Sequence, residues 1–76
     1  MIIDRPIAEW KSEDYLEARE IITQARKNLG IYAPRRMTTL EAGMVLSELY
    51  KTGENHVAEY IANIYRYDFK EAAKNG

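Results

Sequence analysis

A chain of 76 residues makes one small domain, 1–76, which buries only about 60–65 % of the surface its unfolded form exposes. It contains no cysteine, so neither a disulfide nor a thiolate zinc site can staple the fold. A net charge of −1, with 46 % apolar and 30 % charged residues, points to a soluble globular domain and away from indiscriminate nucleic-acid binding, which rides on a strongly basic domain.

No apolar run approaches the roughly 18 residues of a membrane span. The beginning, Met1-Ile2-Ile3-Asp4-Arg5-Pro6, lacks the long apolar core of a secretory signal. The expected location is therefore the cytoplasm. Residues 1–11 read as an irregular arm. Pro6 interrupts any helix or central strand and suits the start of a helical turn. Ile2, Ile3, Ile7 and Trp10 are expected to fold back over the helices, because a small core recruits its termini. The alternative is an exposed apolar arm that docks on a partner or a second copy.

Helix 1 is expected over 12–29. Ser12 is the candidate N-cap, and Glu13 and Asp14 suit the positive end of the dipole. Tyr15, Ala18, Ile22, Ala25 and Leu29 form one helical stripe, widened by Ile21. Gly30 supplies a left-handed stop. Glu13, Glu17, Glu20 and Gln24 fall on the far face. They read as a solvated surface, with a docking stripe for a basic partner as the sharper alternative. Residues 30–37 form a loop in which Pro34 pushes Ala33 out of helical geometry.

Helix 2 is expected over 39–51, opened by the capping box Thr38-x-x-Glu41. Leu40, Met44, Val45, Leu46, Leu49 and Tyr50 make it broadly apolar and hence central. Gly43, costly in mid-helix, suggests the close approach of another helix. Gly53 then fits the stop, and Asn55 fits the next N-cap. Helix 3 is expected over 55–74, with Val57, Tyr60, Ile61, Ile64 and Tyr65 inward. The periodicity slips at Asp68, so the alternative is a break and a short fourth helix. The reading is all-α: a compact three-helix bundle with an irregular N-terminal arm.

The inventory for catalysis is thin. There is one histidine, His56, and the two serines read as a cap (Ser12) and a helix-surface residue (Ser47). No nucleophile elbow, phosphate loop or His-Glu-x-x-His helix occurs. His56 and Glu59 have a metal-ligand spacing but lack the repeated motif of bundle metal sites. Glu13, Glu17 and Glu20 would need a second acidic element facing them to hold a hard cation. No catalytic residue, metal or cofactor is expected. A helix-turn-helix over helices 2 and 3 fails: it puts Glu54 and Glu59 where that motif buries apolar side chains, and offers Arg66 as the one base of its reading helix.

Charge is unevenly placed. Residues 21–40 hold Arg26, Lys27, Arg35 and Arg36 and no acid; residues 1–20 sum to −3 and 41–76 to −2. With Tyr32, this basic segment suits phosphate contact and base stacking. Its plainer role is to cap helix 1 and balance the acidic flanks, with Tyr32 packed on the core. Tyr60, Tyr65 and Tyr67 span more than half the helical wheel, so at least one is expected in solvent beside Arg66, the composition that interfaces favour.

The expected function is a non-enzymatic interaction or regulatory protein that binds a protein partner through Tyr60, Tyr65, Arg66 and Tyr67 with Tyr32, Arg35 and Arg36. The rival is a nucleic-acid-binding protein using Arg26, Lys27, Arg35 and Arg36. A third reading is a self-associating homo-oligomer joined through Met1-Ile2-Ile3 and the helix 2 surface.

Overall fold

A computed structural model describes residues 3–32 and 35–75, and of Asn75 the backbone alone. Met1 and Ile2 of the arm, and the Ala33-Pro34 step, lie outside the described residues. A single 3-10 turn, Ile7–Glu9, precedes four helices: α1 Ser12–Asn28, α2 Thr39–Lys51, α3 Asn55–Ile64 and α4 Arg66–Asn75. No strand occurs among the described residues. The radius of gyration, 12.3 Å, is near the value of about 11 Å that a compact chain of this length adopts.

The start of α1 corrects the sequence reading. Lys11 occupies the N-cap position, and the Asp14 carboxylate accepts the Lys11 N–H at 2.9 Å. Ser12 is already inside the first turn. The register follows Asp14: with Lys11 at the N-cap it stands at N3, from which a carboxylate reaches back to the N-cap amide, whereas with Ser12 there N3 would be Tyr15. Its carboxylate is only 2 % exposed and also pairs with the Arg5 guanidinium. The arm is thereby tied to the helix it precedes. Ile3 and Trp10 are buried in the core, as the folded-back arm requires. The Trp10 indole N–H donates to the Arg5 carbonyl at 2.8 Å.

Both glycine stops take left-handed angles, Gly30 at φ 77° and Gly53 at φ 86°. Each closes the paired hydrogen bonds of a Schellman ending. At the first, Ile31 N–H reaches Arg26 O at 2.9 Å and Gly30 N–H reaches Lys27 O at 3.1 Å. At the second, Glu54 N–H reaches Leu49 O at 2.8 Å and Gly53 N–H reaches Tyr50 O at 3.2 Å. Glu54, not Asn55, is the N-cap residue of α3. The capping box of α2 forms in both directions: Glu41 N–H donates to Thr38 Oγ1 at 3.2 Å and Thr38 N–H to Glu41 Oε1 at 2.9 Å.

α2 is the hub, packed against α1, α3 and α4. It buries Ala42, Val45 and Leu49, which meet Ala18 and Ala25 of α1 and Val57, Ala58 and Ile61 of α3 in one core. Four buried alanines let the helix axes approach closely, since ridge depth sets the interaxial distance. α2 is less apolar-facing than its composition suggests: Leu40, Met44 and Tyr50 are exposed. The space beside Gly43 is open: among the described residues, no atom beyond its own stretch of helix lies within 4 Å of where a Cβ would stand. The helix-approach reading of that glycine is therefore wrong.

The expected helix over 55–74 is two helices. α3 ends at Ile64, and Tyr65 leaves helical geometry with φ −99° and ψ 14°. The hydrogen bonds run on across the bend, from Tyr65 N–H to Ile61 O at 3.0 Å and from Phe69 N–H to Tyr65 O at 2.9 Å. The bend lays α4 against α2 and turns Tyr65 into the core, with Phe69 packed on it.

Candidate functional site

The basic loop and the α3–α4 junction meet. The Arg36 guanidinium carbon lies 4.4 Å from the centre of the Tyr65 ring, and its Nη2 pairs with Asp68 Oδ2 at 3.0 Å. A guanidinium suits both contacts at once, since it can lie against a ring while its N–H groups donate to a carboxylate. Arg35 makes a bidentate pair with Glu41, at 2.7 and 3.0 Å. That arginine and the Thr38 N–H hold the Glu41 carboxyl well below its ordinary value of 4.5, at about 2. The same pairing raises the Arg35 pKa. Asp14 is likewise lowered, first by Arg5 and then by the Lys11 amide.

The sequence-predicted residues are therefore spread over several separate environments. Arg36, Tyr65 and Asp68 form a seam between loop and junction. Tyr32 and Tyr67, 74 % and 72 % exposed, stand in solvent, and Arg66 is exposed beside Tyr67. The core packing expected of Tyr32 does not occur. Tyr60 belongs elsewhere: its ring lies 5.3 Å from Trp10 and 5.7 Å from Tyr15, in an aromatic trio that pins the N-terminal arm. Arg26 Nη2 donates to the Arg35 carbonyl at 3.3 Å, and Lys27 is exposed.

His56 and Glu59 are a surface pair at 3.4 Å. Among the described residues no three His, Cys, Asp or Glu side chains converge as metal ligands, and no helix is long and apolar enough to cross a membrane.

Three acidic side chains escaped the sequence reading. Asp14 was assigned to the helix dipole, yet it is buried and structural. Glu48 and Glu54 received no role, yet both line a groove beside Glu17 and Glu20 of α1. A signal for Glu54 was present: it occupies the position two past the cap of a Schellman ending, where an apolar residue commonly packs back on the helix.

Comparison with known proteins finds no family model that matches the chain, and neither a characterised protein nor a solved structure matches it.

Proposed function

We propose that this protein is a small, non-enzymatic helical interaction module whose protein-binding surface runs from the basic loop onto the start of α4. The observation that carries this reading is the seam of Arg36 with Tyr65 and Asp68. It fixes the loop against the junction and leaves the neighbouring Tyr67 and Arg66 unburied, together with Tyr32. Aromatic rings and arginines held on a rigid support are what protein interfaces enrich, since little side-chain entropy is lost on docking.

The pairing of Arg35 with Glu41 and of Arg36 with Asp68 weakens the nucleic-acid alternative. Two of the four cations of that patch already sit against carboxylates, so fewer charges remain to displace counterions from a phosphate chain.

The test is capture of partners from native lysate by the tagged chain, with and without nuclease, beside a Tyr67→Ala/Arg66→Ala variant. The expected result is a discrete protein that survives nuclease and is lost with the double variant. Recovery that depends on nucleic acid, and disappears with Arg35→Glu/Arg36→Glu, would replace this reading with the nucleic-acid one.

A second reading, self-association, is favoured by one observation. Leu40, 77 % exposed, and Met44 lie one turn apart on the outer face of α2, next to the open side of Gly43. Light scattering across a dilution series should then give a mass that falls with dilution, and Leu40→Glu should hold the chain as a monomer throughout.

A further inference from the structure

The groove between α1, the end of α2 and the turn before α3 is lined by four carboxylates and no base. Glu17 and Glu20 come from α1, Glu48 from α2, and Glu54 from the turn; the groove is open to solvent, with a volume of about 500 Å³. Acidic rims are common, and this one is distinguished by Glu54. That residue is 93 % buried, at 7 % relative exposure, and its Oε1 is shielded from solvent with no hydrogen-bond donor. Glu17 Oε1 is in the same condition.

The neutral donors that line the groove give nothing to these two oxygens. The Thr52 hydroxyl donates to the Glu48 and Leu49 carbonyls at 3.2 Å each, and the Gln24 amide donates to Asn28 Oδ1 at 3.0 Å. The Glu54 backbone is held on both sides: its N–H locks the end of α2 and its carbonyl accepts Ala58 N–H at 2.9 Å. Burying acceptors without donors is costly, and the cost is recovered when a ligand brings the donors.

The chemistry of that ligand follows from the lining. Ile21, Ala25 and Leu49 make an apolar floor beneath the carboxylates. The acids do not converge on a point where one metal ion could take three of them. Separated acceptors over an apolar floor match separated ammonium groups joined by methylene chains. We infer that this groove binds a free polyamine, its ammonium groups paired with the carboxylates of Glu54, Glu17, Glu20 and Glu48 and its alkyl spacers lying on the floor. This site is distinct from the protein-binding surface and does not depend on it.

The test uses the full chain with spermidine as the probe, by calorimetry and thermal melting at fixed ionic strength, beside magnesium chloride. Spermidine should raise Tm by several degrees where magnesium does not, since a ligand that binds only the folded state stabilises it. Glu54→Gln should weaken spermidine binding about ten-fold or more, the scale of one charge-assisted hydrogen bond. Its own Tm should be no lower than that of the parent chain, because an unsatisfied carboxylate has been removed. Glu20→Gln, an exposed change that leaves the core intact, should also weaken binding and decides the matter if Glu54→Gln does not fold. Equal shifts with magnesium, or unchanged binding in the variants, would overturn the proposal. Tetralysine binding more tightly than spermidine, with the same dependence on Glu54, would overturn the free-polyamine assignment in favour of a protein lysine.

Discussion

At the scale of single residues, two carboxylates do structural work that their exposure to acid should reveal. Glu41 is lowered to about 2 by Arg35 and the Thr38 amide, and Asp14 is lowered by Arg5 and the Lys11 amide. A lowered folded-state pKa means the unfolded chain holds its proton more readily than the folded one. The stabilisation is therefore complete above the ordinary carboxylate range and is lost as pH falls from about 4.5 towards 2. Urea midpoints measured down that range should decline, and carbon-detected NMR should find the Glu41 carboxyl titrating near 2. Arg35→Gln should move that titration up towards 4.5 and flatten the decline. Half of this was legible beforehand, because Thr38-x-x-Glu41 is a local pattern closed within one turn. The partnership of Asp14 with Arg5 was not, since it depends on the arm folding back, a tertiary event that the spacing of charges does not encode.

At the scale of elements, α2 carries a glycine with no steric duty. With helical angles and nothing near its missing Cβ, Gly43→Ala should stabilise the chain by about 1 kcal/mol, read as a raised urea midpoint with an unchanged m-value. A loss of stability would mean that something packs on that face, and a loss that grew with protein concentration would identify it as a second copy.

The α3–α4 bend makes a second test. Arg36 reaches Asp68 across 32 residues of sequence and covers Tyr65. Arg36→Ala should cost about 1 kcal/mol, combining an exposed cation–π contact with a surface ion pair. Hydrogen exchange should accelerate in α4 more than in α3. The expectation of one helix over 55–74 was wrong; the lapse in periodicity at Asp68 offered the break only as an alternative and three residues late, and the contact of Tyr65 with a loop residue is not a local pattern. Helix stops written in glycine, at Gly30 and Gly53, were legible to the residue; a bend that packs against a distant side chain was not.

At the scale of the whole molecule, the arm and the hub decide whether the fold exists. A chain of this length has a total stability of about 4–11 kcal/mol. Leu49→Ala empties the fully buried centre of α2 and should cost about 2–5 kcal/mol, a large share of that total, read as a lowered urea midpoint. Trp10 tests a different proposition, that residues 3–11 belong to the same cooperative unit as the helices. Its indole is buried, lies 5.2 Å from Tyr15 and 5.3 Å from Tyr60, and donates to the Arg5 carbonyl. Trp10→Ala removes two aromatic contacts and orphans that carbonyl, and should cost about 3–5 kcal/mol. Because Trp10 is the only tryptophan, its fluorescence reports the arm, while far-UV circular dichroism reports the helices. The two should trace one urea transition with a common midpoint, since Asp14 links arm to α1 and Tyr60 links arm to α3. Fluorescence changing at lower urea than dichroism would make the arm a separately melting strap, and Trp10→Ala would then leave the helical transition where it is in the parent chain.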